Sequence, residues 1–208
     1  KHKTIFVHIP KTAGGTIEKS LNIYGIDNQG SLKPSINILY GMLDSRSLQH
    51  LTIQEIKELE FQIYQKIAFV RNPFDRIISE YFWRIENFGK KIIMFKDFLV
   101  EEVIPRKNGI PKVIKNFYHN ENIVELFDNH YVDQHKFITD NNGNIIVDFI
   151  GRFENLNDDF KKAFGLDLIN YKVHSTKHND YKEYYDSETK SLVKECYKKD
   201  LELFKYEF

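Results

Sequence analysis

Residues 10–16 of this chain combine the residue types that bind an anion. They read Pro-Lys-Thr-Ala-Gly-Gly-Thr and follow the apolar run Thr4–Ile9. Backbone N–H groups at the start of a helix point outward without partners, and glycine lets that backbone approach a ligand closely. Lys11 adds a positive charge, while Thr12 and Thr16 add hydroxyl donors. The segment therefore predicts a strand, a phosphate-binding turn and a helix in succession.

A second signal for strand, turn and helix occurs at residues 68–81, which read Ala-Phe-Val-Arg-Asn-Pro-Phe-Asp-Arg-Ile-Ile-Ser-Glu-Tyr. Asn72 is typical of a helix N-cap, and Pro73 of the first helical position. Arg71 leaves the strand, and Ser79 lies about two helical turns later. If the helix packs back over the strand, both side chains can reach the same phosphate.

These two segments resemble the nucleotide-binding loops of sulfotransferases. In the P-loop of nucleotide triphosphate enzymes the lysine follows the glycines, whereas here Lys11 precedes them. Residues 10–16 resemble the family's 5′-phosphosulfate loop. Residues 71–79 match its R-x-P-x-x-R-x-x-S pattern, which holds the 3′-phosphate of 3′-phosphoadenosine-5′-phosphosulfate (PAPS). Residues 147–156 and 184–208 are similar to the family's late strand and closing helix. Within the family, the chain resembles the soluble bacterial-type members of the carbohydrate sulfotransferase group that includes heparan sulfate 2-O-sulfotransferase.

The resemblance implies a P-loop nucleotide-kinase-like sulfotransferase fold, PAPS as sulfuryl donor, adenosine 3′,5′-bisphosphate as product and no metal. It also implies the nucleotide ligands. The expected cofactor-binding residues are Lys11, Thr12, Ala13, Gly14, Gly15, Thr16, Arg71, Ser79 and Arg152. For Arg152, which ends a predicted strand, a bond to Glu154 is an equally open interpretation.

A hydroxyl acceptor must lose a proton, and the chain has eight histidines that could take it. We predict that His50 is the base, because the residues from His50 to Ile56 resemble the family's loop histidine and the short helix after it. A surface position for His50 is the open alternative. His8, in the first strand, is the second candidate, although a role in bracing the loop suits it better. With Lys11, these form the expected catalytic group; surface roles are predicted for the other histidines.

Composition predicts one domain, residues 1–208, with 41% hydrophobic residues to form its core. Thirty basic and thirty acidic residues cancel, which argues against a nucleic-acid partner. A single cysteine excludes an internal disulfide. The sequence has no signal peptide and no apolar run near twenty residues. We therefore expect no integral membrane segment and a cytoplasmic location, with an N-terminal anchor left open because the sequence begins at Lys1.

Alternating strand and helix signals predict an α/β fold, in which helices flank a mostly parallel central sheet and ligands bind at the carboxyl ends of its strands. Strands are predicted at Thr4–Ile9, Lys66–Val70 and Ile145–Ile150, the last joined to residues 136–139 by a hairpin turn at Asp140–Asn144. Helices are predicted from Thr16, after a capping box at Thr52, from Asn72, and over Phe95–Val103, Lys112–Phe127, Glu154–Phe164 and Ser187–Phe204. Arg106–Ile110 is predicted to be a loop.

The favoured function is transfer of a sulfuryl group from PAPS to a hydroxyl by in-line displacement. The expected partner is a small-molecule or glycan acceptor, with a carbohydrate as the first choice. Two alternatives stay open: a P-loop small-molecule kinase that uses ATP and magnesium, and a non-catalytic nucleotide-binding module. A basic cluster would attract an acidic glycan if it lay near the site, and an ordinary solvated loop is the competing interpretation. Its members are Arg106, Lys107, Lys112 and Lys115.

Overall fold

A three-stranded parallel sheet lies at the centre of the computed structural model, which describes residues 4–22, 42–43, 46–47, 50, 52–54, 64–88, 94–107, 113–114, 124–125, 129–170 and 178–208. The strands are β1 (Thr4–Val7), β4 (Gln65–Val70) and β7 (Phe149–Arg152), in the order β1-β4-β7. β4 is parallel to both neighbours. The predicted α/β class and parallel sheet are confirmed.

Helices surround this sheet in the described part of the chain. They are α1 (Gly14–Ser20), α2 (Pro73–Phe88), α3 (Phe95–Phe98), α4 (Ile104–Lys107), α5 (Gln134–Ile138), α6 (Leu156–Phe164), α7 (Ser187–Cys196) and α8 (Lys198–Phe204). A π-helical segment, Leu99–Val103, joins α3 to α4, and 3-10 segments span Asn129–Tyr131, Phe153–Asn155 and Tyr181–Tyr184. Two short antiparallel pairs are β2 (Met42–Leu43) with β3 (Arg46–Ser47), and β5 (Val113–Ile114) with β6 (Val124–Glu125).

The central strand is buried on both faces. Ile67 and Phe69 of β4 pack with Ile17 of α1 and Phe160 of α6. The alternate residues of β4 belong to a second cluster, which includes Phe137 of α5 and Phe204 of α8. A continuous apolar run is typical of a parallel strand covered by helices on both sides, because successive side chains point to opposite faces.

The long helix α2 begins where its cap residues predict. The Asn72 side-chain oxygen accepts a hydrogen bond from the Phe74 backbone N–H at 3.1 Å, and Pro73 is the first helical residue. Pro73 suits this position because the N–H it lacks would have no helical partner. Phe74, Ile77 and Tyr81 pack in the largest core cluster together with residues of α7 and α8. These contacts fix α2 over the carboxyl end of β4.

Four sequence predictions about local structure were wrong. β5 and β6 lie where a helix over Lys112–Phe127 was predicted, because β-branched residues there favour extended backbone. Arg106 lies in α4 rather than in a loop. The helix over Ser187–Phe204 is interrupted at Tyr197. Residues 136–138 belong to α5, so the hairpin reduces to a turn and one bridge between Thr139 and Ile145.

None of the helices in these described ranges is both long enough and apolar enough to span a membrane. The longest of them, α2, carries the buried charged residues Arg76, Glu80 and Arg84.

Candidate active site

The turn between β1 and α1 has an unusual backbone. Lys11 and Ala13 both have φ of 68°, in the left-handed region that non-glycine residues rarely adopt. Such strain persists only when the surrounding structure fixes it. The Thr12 hydroxyl donates to the Ile9 carbonyl oxygen at 2.8 Å, which closes the turn from inside. The expectation that this hydroxyl donates to a phosphate is therefore corrected: Thr12 is fully buried and its donor is used by the turn itself.

The start of α1 offers backbone donors to this turn. Ala13 is the N-cap, makes no side-chain cap bond, and accepts the N–H groups of Thr16 and Ile17 through its carbonyl oxygen. The N–H groups of Gly14 and Gly15 precede the first residues that can find an acceptor within the helix. Gly14 also allows close packing, because a Cβ at this position would overlap the His8 ring at Nε2.

The Lys11 ammonium makes no hydrogen bond or ion pair with the described residues. Its Nζ lies 5.2 Å from the centre of the Trp83 ring, a cation–π contact with α2. Burial lowers the pKa of Lys11 from 10.5 to about 8, with Glu80 opposing this shift and Arg71 adding to it. A partly buried cation without a paired anion creates a strong local preference for an anionic ligand.

Arg71 joins the two predicted loops. Its Nη1 donates to the Lys11 carbonyl oxygen at 3.1 Å, and its Nε donates to Asp75 at 2.8 Å. The guanidinium carbon lies 3.9 Å from the centre of the Phe153 ring. In the described ranges Nη2 has no hydrogen-bond partner, so one edge of this fixed guanidinium can still bind an anion.

Ser79 and Arg76 are both buried polar residues of α2. Ser79 is buried and follows Asp75 by one helical turn, on the side of the helix that contacts Arg71. Arg76 is fully buried and donates to three backbone carbonyl oxygens, those of Pro10, His130 and Val132, at 2.9–3.0 Å. Arg76 thus fixes the anion-binding turn against the 3-10 segment Asn129–Tyr131.

Three histidine rings lie side by side next to the turn. The centre of the His50 ring is 4.7 Å from that of His8 and 5.2 Å from that of His130, and both contacts are edge-to-face. His50 Nδ1 is 3.1 Å from the His8 carbonyl oxygen. Because a carbonyl oxygen only accepts, Nδ1 carries the proton and Nε2 carries the lone pair. Burial, together with His8 and His130, lowers the pKa of His50 well below 6.5, so this ring is neutral at pH 7.

His8 is held more tightly than His50. Its Nδ1 bonds Glu18 of α1 at 2.6 Å, and its Nε2 packs against Gly14. Both ring nitrogens of His8 therefore face α1, which suits a residue that supports the turn.

A group of side chains that the sequence did not indicate begins at Trp83, which lies under Lys11, and continues through His130 to Glu80 and Arg84. The Nδ1 of His130 donates to Glu80 at 2.8 Å, and the Nε of Arg84 donates to the same carboxylate at 2.7 Å. The prediction of a surface role for His130 was wrong. The spacing of residues 80, 83 and 84 does indicate a shared helix face, but the sequence does not reveal what packs on it.

Arg152 and two members of the basic cluster make contacts that the sequence did not indicate. Arg152 Nη2 donates to the Phe204 carbonyl oxygen at 2.5 Å, and its guanidinium carbon lies 4.6 Å from the Tyr206 ring centre. Its side chain thus holds the chain after α8 rather than Glu154. In the basic cluster, Arg106 is buried against Glu102, and Lys107 pairs with Asp133 at 3.2 Å. Lys112 and Lys115 lie outside the described residues.

One group of described side chains has the types and spacing of metal ligands: Asp133, His135 and Asp200. Asp200, however, already accepts the backbone N–H groups of Gln134 and His135 and the ring Nδ1 of His135, at 2.7–2.9 Å. Gln134 in turn bonds the backbone N–H and carbonyl of Arg71. This arrangement connects α8 to the end of β4 and serves as a structural cap.

The model of the sulfotransferase family matches residues 1–207 of the chain, and the chain therefore belongs to this family. No curated protein and no solved structure matches it. Family membership confirms the resemblance that the two loops indicate, and it implies a transferase that moves sulfuryl groups.

Proposed function

We propose that this member of the sulfotransferase family transfers a sulfuryl group from PAPS to a hydroxyl group of a carbohydrate acceptor. The observation that carries the proposal is the pair of cations at the β1–α1 turn. The Lys11 ammonium has no counter-ion among the described residues, and Arg71, bonded to the Lys11 carbonyl oxygen, keeps Nη2 for a ligand. Two positive groups in one small site favour a nucleotide with more negative charge over one with less.

The residues present fit a nucleotide that carries phosphates at both ends of its ribose. Lys11 and the N–H groups of Gly14 and Gly15 would hold the 5′-phosphosulfate, with Ala13 and Thr16 completing the turn. Arg71 and Ser79 would hold the 3′-phosphate. A Cβ at Gly14 would enter the space filled by His8 Nε2, so the backbone there has no room for a larger residue. Arg152 is left out of this set, because its guanidinium holds the Phe204 carbonyl oxygen.

Bound PAPS supplies a sulfuryl group on a phosphate leaving group. His50 takes the acceptor proton at Nε2, whose lone pair is fixed by the bond from Nδ1 to the His8 carbonyl oxygen. Lys11 would stabilise negative charge on the phosphate oxygen of the leaving group. Family membership argues against the kinase alternative, and turnover distinguishes the enzyme from a silent binding module.

Nucleotide selectivity tests the proposal. Adenosine 3′,5′-bisphosphate should raise the melting temperature more than AMP or ATP does, because only the bisphosphate offers a 3′-phosphate to Arg71 and Ser79. Arg71→Ala should weaken the bisphosphate by about tenfold to a hundredfold, as for a lost charged hydrogen bond, and AMP much less. Arg71→Lys keeps the charge without the fork and should recover only part of the loss.

Equal stabilisation by AMP and the bisphosphate would contradict the nucleotide assignment. Labelled sulfate from PAPS, offered with a panel of sugars, tyrosine peptides and small alcohols, then identifies the acceptor class. Labelling of tyrosine peptides alone would contradict the proposal that the acceptor is a carbohydrate.

A further inference from the structure

Glu80 of α2 is fully buried and is shared by two partners. One carboxylate oxygen accepts from Arg84 at 2.7 Å and the other accepts from His130 at 2.8 Å. Although burial alone would raise the pKa of Glu80, His130 and Arg84 hold it well below its usual range, so the carboxylate is charged. A buried charged group generally contributes less stability than an apolar side chain of the same size. Its presence therefore calls for another explanation.

His130, the partner of Glu80, is fixed at both its backbone and its ring. Its carbonyl oxygen accepts from Arg76 Nη2 at 2.9 Å, while Arg76 Nε also holds the Pro10 carbonyl oxygen at 3.0 Å. A single guanidinium thus ties His130 to the residue before Lys11. Burial lowers the pKa of His130 although Glu80 opposes this, so the ring is neutral and its Nδ1 proton is donated to Glu80.

The His130 ring contacts the proposed base, His50, and also Trp83, which supports Lys11. Its centre is 5.2 Å from the His50 ring centre on one side and 5.4 Å from the Trp83 ring centre on another. Trp83 lies under the Lys11 ammonium at 5.2 Å. His130 therefore contacts the proposed proton acceptor directly and is separated from the Lys11 ammonium by one ring, that of Trp83.

We propose that Glu80 is a positioning residue of the transfer step: through His130 it holds the His50 and Trp83 rings in place, and Trp83 lies under the Lys11 ammonium. The negative charge of Glu80 also favours the protonated form of Lys11. This inference rests on the proposed function. The charged and titratable groups acting on Lys11 are Glu80, Arg71, Glu86, Arg84 and, through the Glu80 pair, His130. Glu80 has the largest effect among these charges, and its sign favours the protonated form.

The test is the titration of Lys11 itself, followed by nuclear magnetic resonance of ¹³C-lysine-labelled protein and assigned with Lys11→Arg. Loss of a nearby negative charge favours the neutral amine. Glu80→Gln should therefore shift the Lys11 titration to lower pH by about one unit. Arg84→Gln removes a positive charge and should shift it to higher pH. An unchanged Lys11 titration in folded Glu80→Gln would overturn the proposal.

Glu102→Gln is the matched control. Glu102 is also buried and also pairs with the arginine one turn later in its helix, Arg106. Glu102→Gln should lower the free energy of unfolding about as much as Glu80→Gln does, but it should leave the Lys11 titration unchanged. If Glu80→Gln fails to fold, Glu80→Gln with Arg84→Gln removes both charges and avoids an unpaired buried arginine. Because Glu80 acts on Lys11 more strongly than Arg84 does, the double variant should still titrate at lower pH.

The positioning role has a kinetic readout. His130→Gln should lower kcat by about tenfold to a hundredfold at constant bisphosphate affinity, because it removes the ring that supports both reacting groups. In Glu80→Gln, the alkaline limb of the kcat/KM profile should shift to lower pH together with the titration of Lys11. A His130→Gln protein that is less stable but retains the wild-type kcat would contradict the role. If wild-type protein lacks PAPS turnover, the proposed function fails, while the Lys11 titration still decides the electrostatic claim.

Discussion

At the scale of single residues, burial decides the chemistry of the candidate base. A histidine base with an unperturbed pKa would give an acidic limb between about pH 6 and 7. The pKa of His50 is instead well below 6.5, because the ring is buried and adjoins His8 and His130. A lowered pKa keeps His50 neutral, and so able to accept a proton, over a wider range of pH.

This difference gives a pH prediction. Since the base works only when neutral, kcat/KM should stay level as pH falls through 6.5 and decline only at lower pH. His50→Ala should lower kcat by about a hundredfold to ten-thousandfold and remove this acidic limb, with bisphosphate affinity nearly unchanged. The measurement is a pH–rate profile for both proteins. Should His8→Ala lose the limb while His50→Ala keeps it, the base is His8.

The contacts that the sequence could not predict are those between residues far apart in the chain. Lys11, Arg71 and Ser79 lie in local patterns that a single strand, turn and helix create, so their neighbourhood is predictable. Glu80 and His130 are fifty residues apart and meet only after α2 packs against the segment Asn129–Tyr131. The same holds for Arg152, whose contact with Phe204 depends on where α8 lies.

At the scale of elements, predictions succeeded where the signal was a local cap or a buried apolar run. The start of α2 follows from Asn72 and Pro73, and the core of β4 follows from four consecutive apolar residues. The helix predicted over Lys112–Phe127 failed, because helical spacing of apolar residues there competes with β-branched composition and no cap residue decides between them.

The packing of β1 against α1 gives a second prediction. Gly14→Ala should destabilise the protein by about 2 kcal/mol, since the new Cβ would meet the His8 ring. In a His8→Ala background the space is open, and alanine is a better helix former than glycine, so the same change should cost nothing or stabilise. Chemical unfolding of the four proteins measures the coupling, which should exceed about 1 kcal/mol. Additive changes would contradict the close packing.

At the scale of the whole molecule, α8 supports the site through Asp200. Asp200 caps α5 through the Gln134 and His135 N–H groups, and Gln134 holds the backbone of Arg71. A short series of hydrogen bonds thus connects Asp200, through Gln134 and Arg71, to the anion-binding turn.

Removal of this cap should change both the stability of the protein and its affinity for the nucleotide. Asp200→Ala should lower the free energy of unfolding by about 3 kcal/mol, because it leaves buried donors without an acceptor. It should also weaken the bisphosphate, as Arg71 loses part of its backbone support. Glu202→Ala, an exposed change in the same helix, is the control and should alter neither property. Urea unfolding and nucleotide titration measure the two effects, and a stable Asp200→Ala protein would contradict the capping role.

The order of the central sheet also bears on how the protein is made. β4 pairs on one side with Thr4–Val7 and on the other with Phe149–Arg152, so its partners are separated by most of the chain. Such long-range pairings form slowly, because the entropy of a large loop is lost before any contact compensates for it. During synthesis, one edge of β4 therefore has no partner strand until β7 has left the ribosome. An exposed edge of an apolar strand can pair with other chains, and chaperones reduce this risk for nascent proteins.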